Sequence, residues 1–140
     1  MPINRVWPAG VYRRLIGDDP TPRYAQVTEF TRGDGSRTIH VAGTFGCDLD
    51  QKFAGDRDMR EQVITALENI RLSLESVGAT VADVVRMKLY AVDIDAFVRE
   101  GSAEYQKWFD GNLPASTAIG VSGLALAGAV VEIEAYAELD

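Results

Sequence analysis

The stretch Val84-Val85-Arg86-Met87-Lys88-Leu89-Tyr90-Ala91-Val92 decides the fold. Its side chains alternate, with Met87, Leu89 and Ala91 on one face and Arg86, Lys88, Tyr90 and Val92 on the other, the period of a strand. Val130 to Ala137 repeats the pattern: Val131, Ile133 and Ala135 face one way, Glu132, Glu134 and Tyr136 the other. In both stretches one face is apolar and the other mixes aromatics, acids and bases. The sheet they build has a core side and an unusual second side.

The cover for the core side lies in two helices. From Asp56 to Val77, the residues Met59, Val63, Leu67, Ile70, Leu74 and Val77 recur at three- and four-residue steps, which places them on one helix face. Asp56, Asp58 and Glu61 occupy its first turns, where the helix dipole favours anions, and Gly78 is a natural stop. Asp93 or Asp95 caps a second helix running to about Phe109, with Ile94, Phe97, Gly101, Tyr105 and Trp108 on one face and Gly111 at its end. Further out, Tyr24–Phe30 and Arg37–Gly43 flank the turn residues Arg32-Gly33-Asp34-Gly35, a predicted β-hairpin. Ala118–Val121 reads as a strand joined to the last one by a glycine-rich turn near Gly123 to Gly128. Met1–Pro22 carries Pro2, Pro8, Pro20 and Pro22 and reads as an extended lead-in segment. The order is β-β-α-β-α-β with one further strand, an α+β fold in a single domain over 1–140. Two helices cover only one face of such a sheet. The other face is either a subunit interface with polar pockets or a solvated surface with cross-strand ion pairs.

Composition narrows the function classes. The 140 residues are 46% hydrophobic, enough for one self-sufficient core. A net charge of -7 repels phosphate backbones, and the densest basic cluster is only Arg13-Arg14, so nucleic acid is not the expected partner. Cys47 is the single cysteine and His40 the single histidine, which excludes an intramolecular disulfide and leaves too few ligands for a Cys/His zinc cage. No metal and no cofactor is expected: Gly120, Gly123 and Gly128 lack dinucleotide spacing and open no helix. The uncharged run Gly111–Val131 has membrane-span length, about 20 residues. However, Asn112, Pro114, Ser116, Thr117 and its glycines make it strands and a turn rather than a spanning helix. A soluble, cytoplasmic protein with no membrane partner is the expectation.

Candidate chemistry is sparse. His40 alternates onto the face opposite Ile39 and Val41, with no triad partner near it in sequence, and reads as a structural histidine. Cys47 has no adjacent cation to lower its pKa and reads as inert. Glu132 and Glu134 share a strand face. They are an acid–base pair if buried, or salt-bridge partners of Arg86 and Lys88 if not.

The chain resembles the reactive intermediate deaminase (Rid) family. The resemblance rests on Tyr24-Ala25-Gln26, Ile39-His40-Val41-Ala42-Gly43, Gln62 through Gly78 with Leu67-Glu68-Asn69-Ile70, Val84 to Asp93, Phe97, Tyr105, Leu113-Pro114-Ala115 and Val131-Glu132-Ile133-Glu134-Ala135, in order from Tyr24 to the C-terminus. It implies a chorismate-mutase-like α+β fold and a homotrimer with small-molecule pockets between subunits. It also implies imine or enamine hydrolysis, with archetypal members converting 2-aminoacrylate-type substrates to 2-keto acids and ammonia. It makes Glu132 the water-handling catalytic residue and puts Tyr24, Gly43, Thr44, Ser116 and Tyr105 around the substrate.

The departures matter as much. Archetypal members carry an arginine after the Pro-Ala pair that clamps the substrate carboxylate; here that position is Ser116, which has neither charge nor fork. Ser102 and Ala118 stand where Asn and often Cys are usual. The expected function is therefore a divergent imine or enamine hydrolase with a substrate other than 2-aminoacrylate, uncharged or aromatic. The alternatives are a non-hydrolytic tailoring or isomerising enzyme and a non-catalytic ligand-binding trimer. The family's older designation as an endoribonuclease is disfavoured by the acidic charge.

Overall fold

The two alternating stretches lie side by side in the sheet. The structure, a computed structural model, describes residues 2–14 and 17–140. Its strands are β1 (Ile3–Val6), β2 (Val27–Thr31), β3 (Arg37–Phe45), β4 (Val84–Ala91), β5 (Ala115–Gly120) and β6 (Val131–Leu139). They form one six-stranded sheet in the order β1-β2-β3-β6-β4-β5. Only β4 and β5 run parallel, because a helical crossover joins them; the remaining pairs are antiparallel.

Helix α1 (Met59–Glu75) forms where the apolar stripe predicts it. Asp58 caps it, its carboxylate accepting from Glu61 N, and Gly78 follows at φ 75°. The second helical segment begins under the Asp93 cap and runs through α2 (Ile94–Ala96), a π turn (Phe97–Gly101) and α3 (Ser102–Trp108). Both pack on one face of the sheet. Met87, Leu89, Ala91, Val131, Ile133, Ala135 and Ala137 are buried there against Val63, Leu67, Ile70 and Leu74. Each large side chain in that layer contributes roughly 1.5–3 kcal/mol of burial.

The lead-in segment differs from its reading. Ile3–Val6 is a strand, antiparallel to β2. Its four residues are mostly exposed and Ile-Asn-Arg-Val has no periodicity long enough to read; the free edge of β2 is what orders it. Residues 1, 15 and 16 of that segment lie outside the described ones. The hairpin is as predicted, its turn closed by Arg32 N to Ser36 O (2.8 Å) and Gly35 N to Arg32 O (3.0 Å), with Gly35 at φ 91°. The uncharged run 111–131 holds β5 and the start of β6. No helix among the described residues is long and apolar enough to cross a membrane.

Two buried amides of α1 tie loops to the sheet ends. Asn69 Nδ2 donates to Phe45 O (3.1 Å) and Cys47 O (3.0 Å). Gln62 donates to Gly128 O (2.9 Å) and accepts from Val130 N (2.8 Å). Where β3 leaves the sheet, Gly46 passes so close to the helix that a Cβ there would lie 2.1 Å from Gln62 O.

Candidate active site

A bulge in β3 builds the site. Val41 pairs with Ala135 and Thr44 with Ile133, so three steps on β3 face two on β6. The extra residue reverses the alternation that Ile39 and Val41 established. Thr44 therefore turns toward the helices, and Phe45 turns to the open face directly opposite Glu132. Without the bulge Phe45 would sit in the helix-side core and the cavity beside Glu132 would lose a wall.

That cavity, about 330 Å³, is lined by Arg14, Arg23, Tyr24, Ala42, Gly43, Phe45, Ala125 and Glu132. Gly43 is what makes room for the carboxylate: a Cβ there would lie 2.1 Å from Glu132 Oε1 and 3.0 Å from its Cδ. Burial raises the Glu132 pKa above its usual range, the Glu134 carboxylate raises it further, and Arg14 opposes the shift. Burial also raises the Tyr24 phenol, with a backbone hydrogen bond from Arg14 and the Arg14 charge pulling the other way. A proton acceptor, a phenol, an aromatic ring and two guanidinium groups thus share one small concavity.

The segment that supplies Arg14 is anchored. Tyr12 and Val11 are buried with Phe45, Cys47 and Ala129 in a second apolar cluster. Phe45 N donates to Tyr12 Oη (2.7 Å), and the Arg13 guanidinium lies 5.0 Å from the centre of the Trp7 ring. Arg14 Nη2 donates to Ala125 O (2.7 Å) across the cavity rim. Arg23 pairs with Asp19 (2.7 Å).

Beyond Glu132 the open sheet face continues. A second hollow, about 360 Å³, is lined by Gly43, Tyr90, Val121, Gly123, Leu124, Glu132 and Glu134. Tyr90 Oη donates to Glu134 Oε1 (2.7 Å), a bond that with partial burial pushes the phenol up to about 12. Arg86 and Lys88 do not neutralise the acids. Arg86 Nη2 donates to Thr117 Oγ1 (2.6 Å), and among the described residues neither cation forms an ion pair with Glu132 or Glu134.

The structure brings Glu132, Gly43 and Tyr24 together and leaves the other anticipated residues elsewhere. Thr44 is fully buried; its hydroxyl accepts from Gln26 Nε2 (2.9 Å) and donates to Ala42 O (2.7 Å). Ser116 and Tyr105 hydrogen-bond each other where β5 meets α3. Ser116 pairs with Met87, which pairs with Ala135, so it lies two strands over from β6. His40 is exposed and packs edge-on to Tyr136 at 4.9 Å between ring centres. That is about 13 Å along β6 from Glu132 at the usual rise per residue. Cys47 is buried, and burial followed by the Asp48 charge pushes its thiol up to about 12.

Arg14 and Arg23 were not anticipated. Arg13-Arg14 and Arg23 are a cluster of cations just before Tyr24 in an acidic chain, and that concentration was the available signal. What hid them is distance: Arg14 and Ala125, which meet at the rim, are 111 positions apart. They put positive charge on the cavity wall, which the reading of an uncharged or aromatic substrate did not include.

Comparison with known proteins places this geometry among relatives. The sequence profile of the family described as endoribonuclease L-PSP matches residues 18–139. The 2-iminobutanoate/2-iminopropanoate deaminase of Rattus norvegicus is 34% identical over 101 residues, 72% of each chain. YyfB, a Yersinia pestis protein of the conserved Rid family, is 33% identical and superposes with a TM-score of 0.69 over 82% of this chain and 86% of its own. YyfA of the same organism and family shares 24% identity and a TM-score of 0.81, covering 99% of this chain and 100% of its own, a likeness of fold.

Proposed function

Because the chain belongs to the endoribonuclease L-PSP family, which includes the Rid proteins, we propose that it hydrolyses the imine or enamine form of a small molecule, with Glu132 handling the water. The observation that carries this reading is the Glu132 carboxylate itself. It is half-buried, its pKa is raised, it has no ion-pair partner among the described residues, and it is seated against the bare Cα of Gly43 on a cavity wall. A carboxyl group tuned upward suits proton transfer near neutral pH.

The steps balance with water alone. Glu132 takes a proton from water as its oxygen attacks the imine carbon. The same proton then goes to the nitrogen of the tetrahedral adduct. Glu132 then takes the hydroxyl proton of the adduct as the C–N bond breaks and passes it on to the departing nitrogen, leaving a carbonyl and ammonia or an amine. For an enamine, the protonated Glu132 first supplies a proton to carbon, giving the iminium ion and leaving Glu132 as the carboxylate that then activates water. Tyr24 and Phe45 pack the substrate, and burial around Glu132 limits bulk water.

The same reading makes the protein a homotrimer. Support comes from the open sheet face, where Glu132, Glu134, Tyr90 and Tyr136 lie half-buried with no covering layer among the described residues, and from the exposed edge strand β5. A neighbouring subunit laid on that face would close both hollows. Sedimentation at micromolar concentration should give a trimer, and a monomer would remove the second half of the site. RNA cleavage is the weaker reading: a chain of net charge -7 disfavours a phosphate backbone.

The assay generates imines of several amino acids in situ with an amino-acid oxidase and traps the imine chemically in competition with hydrolysis. Catalytic protection of at least one imine from the trap is expected. Failure across aliphatic, aromatic and acidic amino acids would refute the hydrolysis reading.

A further inference from the structure

We propose that Arg14, delivered by the N-terminal segment, binds the carboxylate of the substrate. This rests on the hydrolysis reading for what the substrate becomes, but not for the binding itself. The strand position after Pro114-Ala115 offers only Ser116, and that side chain is taken up with Tyr105 on the helix side of the sheet. Arg86 is bonded to Thr117 and lines neither hollow beside Glu132. A cation for the cavity therefore comes from another element.

Two line the cavity wall, and they are not equivalent. Arg23 is half-exposed, with its side chain 51% accessible, and it is already engaged by Asp19. Arg14 is held between the buried Tyr12 anchor and the Ala125 carbonyl, and its charge is felt by Tyr24, Glu132 and Cys47 alike. A guanidinium carries five N–H donors in a rigid fork; one bond to a carbonyl leaves the rest to meet a planar anion. The anchoring matters because a pre-positioned fork loses less freedom when it binds. With the anion at Arg14 and the reacting carbon toward Glu132, the cavity takes a short 2-imino or enamino acid. Larger substituents would extend past Gly43 into the second hollow beside Tyr90 and Leu124.

The test uses ligands that do not turn over, so its outcome is separate from that of the hydrolysis assay. 2-Oxobutanoate and its neutral amide are titrated into the full-length protein by calorimetry or ligand-observed NMR. The wild type should prefer the acid by about tenfold or more, the usual scale of a charge-assisted contact. Arg14→Gln should abolish the preference by weakening the acid alone, and Arg14→Lys, which keeps the charge without the fork, should retain part of it. Glu132→Gln, which takes a carboxylate out of the same cavity, should not reduce the preference. The proposal is overturned if the wild type shows no preference, if Arg14→Gln keeps it, or if Arg23→Gln removes it while Arg14→Lys does not reduce it. A protein that binds the acid through Arg14 and yet protects no imine would sink the hydrolysis reading and leave this one standing.

Discussion

Replacing Gly43 with alanine should stop turnover and leave the fold intact, while the same change at Gly46 should do the reverse. Both added methyl carbons meet an atom at 2.1 Å, but the atoms differ. At position 43 the obstacle is Oε1 at the end of the Glu132 side chain; at position 46 it is the carbonyl of Gln62, with that residue's Cα at 2.6 Å. A carboxylate can swing away for about 0.5–1.5 kcal/mol of rotamer strain. Gly→Ala returns about 0.4–1 kcal/mol by restricting the unfolded chain, so the net change for Gly43→Ala is within about 1 kcal/mol. Helix backbone cannot swing: α1 must shift, at a cost of about 1–3 kcal/mol or more. For a domain of this size each kcal/mol moves Tm by roughly 3–5 °C. Displacing a reacting group by about 1 Å typically costs on the order of 10²-fold in rate. The assay is imine hydrolysis per folded protein alongside thermal melting for both variants. Full turnover in Gly43→Ala, or a Tm loss matching Gly46→Ala, would refute the claim that Gly43 exists to seat Glu132.

Other perturbations test neighbouring parts. Asn69→Ala leaves the Phe45 and Cys47 carbonyls without their donor, at about 1–3 kcal/mol each if they stay dry, and should show as a clear fall in Tm. Cys47, buried with its thiol pushed up to about 12, should resist a thiol reagent at pH 8 in the native protein and react stoichiometrically once denatured. Turnover against pH should carry an acidic limb displaced above the ordinary glutamate value, and that limb should be absent from the residual activity of Glu132→Gln.

The sheet and helices were legible because their periodicities are local. Met87–Ala91 and Val131–Ala135 alternate within one strand, and Met59–Leu74 repeats within one helix. The same alternation put Glu132 and Glu134 on the open face of the last strand, but a role for Glu132 beside a cavity came only from the family resemblance. The β3 bulge was not anticipated: the one mark of it was Gly43, a lone glycine inside a strand, and the bulge is what sends Thr44 to the core and Phe45 to the cavity. Strand β1 escaped notice because its partner, rather than its own four residues, specifies it. Arg14 escaped notice because its place depends on its backbone bond to the Tyr24 hydroxyl and on the β5–β6 connection, contacts that no short window contains.

The central claim, that Glu132 is there for proton transfer and not to pair with a cation, comes down to one variant measured two ways. Glu132→Gln keeps the shape and removes the titratable group. Turnover per folded protein should fall by roughly 10²–10⁴. Stability should move in the opposite sense from that of a broken ion pair. The folded-state pKa of Glu132 is raised, so its stabilising contribution is present below the ordinary glutamate value and is lost as pH rises through the raised one. At neutral pH the ionised side chain is a net cost to the fold, and the glutamine variant should melt at the same temperature as the wild type or higher. An active Glu132→Gln with a lowered Tm would contradict the account.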